Sequence, residues 1–196
     1  MDLTGGLGLT VGSRKEHHEQ CGGHFSPRAD LVWDVADAWT LKGGVTTGYK
    51  APRMGQLHKG ISGVSGQGKT NLLGNPDLKP EESASYEAGV YYDNPAGLNA
   101  NVTGFMTDFS NKIVSYSIND NTNSYVNSGK ARLHGVEFAG TLPLWSEDVT
   151  LSLNYTWTRS EQRDGDNKGA PLSYTPEHMV NAKLNWQITE EVASWL

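Results

Sequence analysis

Residues Val149–Thr158 read VTLSLNYTWT. The odd positions Val149, Leu151, Leu153, Tyr155 and Trp157 are all apolar, and the even positions Thr150, Ser152, Asn154, Thr156 and Thr158 are all polar. Side chains of a strand repeat every two residues, so this alternation predicts an extended segment with one apolar and one polar face. The same period runs through LNANVTGFMT, where Leu98, Ala100, Val102 and Met106 oppose Asn99, Asn101 and Thr103. It recurs in RADLVWDV, where Ala29, Leu31, Trp33 and Val35 oppose Arg28, Asp30 and Asp34. Strands are predicted near 3–10, 25–36, 39–49, 83–92, 98–108, 112–118, 131–143, 149–160 and 178–187. Interior charges fall on the polar parity: Lys42 with Thr40 and Thr46, Glu87 with Ser85, Glu137 with Thr141, Lys183 with Asn181. One side of the strands is therefore expected to be free of formal charge.

The totals narrow the field. Of 196 residues, 36% are hydrophobic and 23 are glycine, while six Trp and eight Tyr recur at ordered spacings that argue against a disordered chain. No run approaches the ~18 consecutive apolar residues of a membrane helix, but a membrane strand needs only roughly 9–11 alternating ones. A net charge of -6 gives no electrostatic footprint for nucleic acid. The lone Cys21 makes no internal disulfide. The opening MDLTGGLGLT carries no visible signal peptide.

Connections sort by length. Short turns are expected at Ala36–Ala38, Asp93–Gly97, Trp145–Asp148 and Thr189–Glu191, and long polar connections near 11–24, 50–82, 109–130 and 161–177. The two kinds alternate, which in an up-and-down sheet puts all long loops at one edge. Aromatic residues gather at both edges: Trp33, Trp39, Tyr92, Trp145 and Trp186 near the short turns, Tyr49, Phe109 and Trp157 toward the long loops. A transmembrane β-barrel has this layout. A soluble β-sandwich binding or adhesion module also alternates and stays open as a second reading.

Candidate sites are few. KEHHEQCGGH gathers His17, His18, Cys21 and His24 without a recognised zinc spacing, and reads as a solvated loop. DGDNKG (164–169) starts like a calcium loop, but Lys168 stands where such a loop needs an acid or amide and Thr175 where it needs a glutamate. No catalytic set assembles, so an enzyme is not expected, and neither a cofactor nor a metal. The connection at 50–82 differs: Lys50, Arg53, His58, Lys59, Lys69 and Lys79 concentrate there among Gly55, Gly60, Gly63, Gly66 and Gly68. Arg53, His58, Lys59 and Lys69 are the candidates for attracting an anionic ligand.

LKGGVTTGYKAPRMGQL followed by GNPDLKPEESASYEAGVYY resembles a signature run of TonB-dependent outer-membrane receptors. The likeness rests on Tyr49, Lys50, Ala51 and Pro52, then Asn75, Pro76, Leu78, Lys79, Pro80 and Glu81. NSGKARLHGVEFAGTLPL is similar to a further family strand through Gly135 and Glu137, and LSYTPEHMVNAKLNW to a returning strand. The flavour is that of catecholate siderophore and colicin receptors. The resemblance implies an all-β antiparallel wall of about nine strands from a barrel of about 22 with a plugged lumen. It also implies ferric siderophore as ligand, outer-membrane lipid as surroundings, and TonB as a partner reached only through a plug domain. The whole of 1–196 is expected to be barrel domain, with 1–24 matching poorly and EEVASWL opening a strand cut short. Lacking plug, signal peptide and closing strands, the chain reads as an internal fragment that does not transport alone. Closure into a small stand-alone barrel is a further alternative.

Overall fold

The computed structural model describes residues 2–127, 129–145, 148–165, 168–188 and 193–195. In chain order it forms β1 (Asp2–Thr4), β2 (Leu7–His18), β3 (Gly22–Ala36), β4 (Trp39–Lys50), α1 (Met54–Leu57), β5 (Ile61–Ser65) and β6 (Thr70–Leu73). There follow β7 (Glu81–Asp93), β8 (Asn99–Ser110), β9 (Ile113–Asn119), β10 (Thr122–Asn127), β11 (Ala131–Pro143), β12 (Val149–Gln162), β13 (His178–Gln187) and β14 (Ala193–Trp195). Ten strands make one sheet in the order β1-β2-β3-β4-β7-β8-β11-β12-β13-β14, each antiparallel to its neighbours. Wall strands thus follow one another in chain order. The segments between β4 and β7 and between β8 and β11 leave the wall and pair with each other.

Register converts the alternation into two faces. Leu7 sits opposite Trp33, Trp33 opposite Leu41, Leu41 opposite Val90, and Val90 opposite Val102. The row continues through Phe138, Tyr155 and Val180, so eight adjacent strands carry an unbroken apolar line. One residue along, the other face runs Lys42, Gly89, Thr103, Glu137 and Thr156. There the Lys42 ammonium lies 4.1 Å from the Tyr91 ring centre, and the Tyr91 hydroxyl is 3.3 Å from that of Thr103. At the short-turn edge Trp39 meets Tyr92 at 4.8 Å between ring centres, both on the apolar face.

The apolar face has no second layer. Val90, Val102, Leu153 and Trp186 are 42%, 47%, 40% and 53% exposed, whereas in a sandwich the two inner faces would cover such residues. The buried apolar residues among those described are Pro52, Leu57, Leu78 and Ala131, all at the long-loop edge. Trp33, Trp39, Tyr92 and Trp186 lie at the short-turn edge, as expected. Phe109 lies at the long-loop edge, as expected, but it shares parity with Phe105 and Thr103 and so belongs to the polar face. A further correction concerns charge. The apolar face is free of it only in its middle, because Asp108, Arg132 and Arg159 occupy that parity near the long-loop edge.

Two expected connections and one expected wall strand take other forms. Residues 11–24 are largely strand, β2 and β3 pairing residue by residue from Leu7–Trp33 to His18–Gly22. Beyond the apolar belt both faces are wet, so the alternation that marks a strand disappears from the sequence while the backbone ladder continues. β3 parts from β4 beyond Arg28, next to Pro27, which has no N–H for a second ladder. Residues 112–118, expected as a wall strand, form β9 in a separate sheet, because β8 pairs directly with β11. The 50–82 connection is not a loosened coil, for it holds α1, β5 and β6. The expected turn at 189–191 lies outside the described residues, and the turn at 145–148, the DGDNKG tip and the EEVASWL end lie partly outside them.

Folding into detergent micelles tests the two faces. Val102→Arg, at the middle of the apolar face, is expected to cost about 2–4 kcal/mol in urea titrations read by heat-modifiable gel mobility. Thr103→Lys, one residue along and opposite Glu137, is expected to change stability by less than about 1 kcal/mol.

Candidate functional site

The two segments that leave the wall build a four-stranded sheet, β5-β6-β10-β9, at the long-loop edge. Two hairpins form it. The β5–β6 turn uses Gly66 and Gly68 at φ +58° and +85°, and the Asn119 side chain accepts the Asn121 N–H across the β9–β10 turn at 3.0 Å. The hairpins join through a parallel pairing, Thr122 with Asn71 and Asn123 with Leu72. Two connections far apart in sequence thereby become one platform.

The motif GNPDLKP fastens that platform to the wall. Gly74 is buried under α1, where a Cβ would run into the His58 carbonyl and stand 2.9 Å from that of Gly55. The Asn75 N–H donates to the Gln56 carbonyl at 2.6 Å, and its side-chain amide donates to the Tyr125 carbonyl at 2.9 Å. Its carbonyl oxygen Oδ1 accepts the Asp77 N–H at 3.0 Å, closing a turn. Asn127, at the end of β10, completes the fastening. Its Oδ1 accepts the Lys79 N–H at 2.6 Å, and its Nδ2 donates to the carbonyls of Lys79 and Asn111, both at 2.7 Å.

Charged contacts brace the rim below. Lys50 donates to Glu81 at 2.6 Å, and the other Glu81 oxygen accepts the Ile113 N–H at 2.9 Å. Glu81 starts a 13-residue strand, beyond the roughly 9–11 residues a bilayer takes counted from the other end. Burial disfavours its charge. The Lys50 and Ile113 hydrogen bonds and the charges of Lys50 and Lys112 outweigh that, so Glu81 titrates below the ordinary carboxylate range. Arg132 grips Asp108 with two bonds of 2.7 and 2.8 Å. His24 stacks on Tyr49 at 4.0 Å between ring centres and lies 3.9 Å from Glu82.

The structure separates the candidate docking residues into two places. Arg53, His58 and Lys59 are exposed around α1, where the Arg53 N–H donates to Gln56 Oε1 at 2.8 Å. Lys69 is exposed at the turn of the β5–β6 hairpin. The motif residues sit lower: Pro52 is buried beside α1, Pro76 directly follows Asn75, and Pro80 directly follows Lys79. Gly135 lies beneath the Phe105 ring, whose nearest carbon a Cβ would approach to 2.7 Å, and Glu137 stands between Thr103 and Thr156 on the polar face. His17 and His18 end β2, Cys21 lies in the following turn, and no group of three or more metal-ligating side chains gathers among the described residues. The residues missed in sequence are Asn127, Asp108 and Arg132. Asn127 opens a motif that was recognised, but nothing local identifies a partner 48 residues away.

A single-layer antiparallel meander, apolar on one face and bearing long structured loops at one edge, is the wall of an outer-membrane type of β-barrel. The family model described as TonB dependent receptor-like, beta-barrel, matches residues 1–195, and the chain belongs to that family. An iron-regulated outer membrane virulence protein of Vibrio cholerae is 41% identical over 95% of this chain and 30% of its own length. A ferric enterobactin receptor of Pseudomonas aeruginosa is 33% identical over 98% of this chain and 28% of its own. The crystal structure of the siderophore receptor PirA from Pseudomonas aeruginosa superposes with TM-score 0.79 at 28% identity, covering 98% of this chain and 34% of that one. The chain thus spans about a third or less of the relatives it matches.

Asn127→Ala removes three hydrogen bonds and is expected to loosen the platform by about 1–3 kcal/mol. Amide exchange at Lys79 should accelerate while the middle of the wall keeps its protection. The folded pKa of Glu81 lies below its unfolded one, so its contribution is complete above the ordinary carboxylate range. It fades as pH falls through the lowered folded value. Exchange at the Ile113 N–H should rise across that acid window, and Glu81→Gln should abolish the step.

Proposed function

We propose that the chain is the wall and outer-loop section of an outer-membrane receptor for ferric siderophores. Its apolar face lies in lipid and its polar face lines the lumen. The supporting observation is that wall and loop platform together match siderophore receptors of known structure along nearly the whole chain. The first encounter with ligand falls to the platform. Ferric catecholate complexes are anionic, and the exposed Arg53, His58, Lys59 and Lys69 offer positive charge in a chain of net charge -6. Fastening through Asn75 and Asn127 holds these cations at defined places above the lumen, which lowers the ordering cost of docking.

Passage across the membrane lies beyond these strands alone. Among the described residues β1 and β14 each have one neighbour, so the sheet encloses nothing until further strands complete it. In this reading a plug domain inside the finished barrel couples docking to TonB, and the present residues supply docking and wall but no transport by themselves.

Quenching of tryptophan fluorescence by a ferric tris-catecholate tests the docking role. Arg53→Glu with Lys59→Glu is expected to weaken binding about tenfold at low ionic strength, and the difference should shrink as salt rises. Lys183→Glu, on a wall strand, is the control. Unchanged affinity in the double variant would remove these residues from the docking surface.

A further inference from the structure

The platform ends on one side in a bare strand. β9 pairs with β10 and, among the described residues, with nothing beyond it. The Ile113 N–H turns to Glu81, away from β10. The N–H and C=O of a strand residue point the same way and alternate along the chain, so Ser115 and Ser117 also aim theirs away from β10. The ladder to β10 is regular from Ile113 to Ser117, the register shift falling beside the turn. Residues 115–119 are exposed, Tyr116 by 47% and Ile118 by 48%. Native edges are blunted by charge, proline or a bulge. At the opposite edge of the platform, β5 is five residues long and interrupted by Gly63 and a register shift. β9 reads IVSYSIN, with no charge, proline or glycine. That is the composition of segments that add to one another as strands.

The segment is also complementary to itself. With its flanks it reads KIVSYSIND (112–120), nearly symmetric about Tyr116. Laid antiparallel on a second copy with Tyr116 at the two-fold axis, Ser115 falls opposite Ser117, Val114 opposite Ile118, Ile113 opposite Asn119 and Lys112 opposite Asp120. The flanking charges therefore meet their opposites at both ends. Ser115 and Ser117 exchange their outward N–H and C=O groups on each side of the axis. Val114, Tyr116 and Val126 share one face of the platform by register, and a second copy extends that face with the same residues. An unrelated peptide has the backbone for this edge but no reason to match both flanking charges.

We propose that β9 is a pairing edge for a second copy of this chain, joined antiparallel about Tyr116 so that two four-stranded platforms become one sheet of eight. Such a contact is isologous: one surface serves both partners and the assembly closes at two copies. The pairing depends on the platform alone, and neither on the ferric ligand nor on what surrounds the apolar face of the wall.

Disulfide cross-linking of the whole chain in detergent micelles tests the register, with Cys21→Ser removing the native thiol. Opposite residues of an antiparallel pair stand roughly 4.5–5.5 Å apart between Cα atoms, within the reach of a disulfide. Tyr116→Cys should therefore give a linked dimer on oxidation with diamide. Val114→Cys or Ile118→Cys alone should give about tenfold less, and mixing those two chains should restore the dimer. Ser115→Lys with Ser117→Lys, added to Tyr116→Cys, sets like charges opposite and should lower the yield about tenfold. Lys112→Asp should lower it about fivefold, and Asp120→Lys in the same chain should restore it. Because the open edges of the wall also associate, the strand that cross-links decides the matter and not the dimer mass. No linked dimer with Tyr116→Cys, equal yields at the three positions, or an unchanged yield in the lysine variant overturns the proposal. Where heat-modifiable mobility shows that the lysine variant does not fold, the three cysteine positions decide alone.

Discussion

A peptide group in hydrocarbon has no water to bond, so a chain that crosses as strands must pair every strand with a neighbour. The rest of the molecule follows from that constraint. Consecutive wall strands lie side by side whether a short turn or a long connection joins them. From β4 through β13 the register runs without a shift. A slip of one residue would send Val90 and Val102 to the side of Lys42 and Glu137, so the ladder and the separation of faces are one property. A soluble sheet protects such a face with a second layer. Here the face stays bare, and the few buried apolar residues gather where platform and wall meet.

The wall was legible where its surroundings differ on its two sides. The middles of β8 and β12 alternate because one face is apolar and the other wet, and that contrast is written in single residues. Past the apolar belt the contrast vanishes. The outer half of β2, with Arg14, Lys15, Glu16 and His17, therefore looked like a loop although its ladder to β3 is unbroken. The reverse error befell β9. Its alternating Val114, Tyr116 and Ile118 mark a half-exposed strand, but alternation does not say which sheet the strand joins. Charge at strand ends was likewise misjudged, since parity alone does not tell a residue in the belt from one above it.

The loop platform was not legible: charge picked out cations in the 50–82 connection and resemblance picked out the signature run, but neither implied a second sheet. Its parallel join and the contacts of Asn127 link residues about fifty positions apart, and no local pattern encodes them. The signature run pointed to the right residues without a reason. The geometry supplies one: Gly74 clears α1, Asn75 and Asn127 each satisfy backbone groups of another segment, and Glu81 ties the first wall residue to the start of β9. These residues join platform to wall and are less exposed than Arg53, His58, Lys59 and Lys69.

The parallel join between β6 and β10 also governs how the molecule tolerates changes of length. A residue inserted in the β5–β6 turn adds to a free tip and disturbs nothing beneath it. The same residue inserted between Gly74 and Glu81 would displace Asn75 from Tyr125, Lys79 from Asn127, or both. It would then either unseat the platform or pull Glu81 out of step with Lys50 on the wall. Variation in reach is thus confined to the hairpin tips, while the stretch that looks most loop-like, with its two prolines, is the one whose length cannot drift.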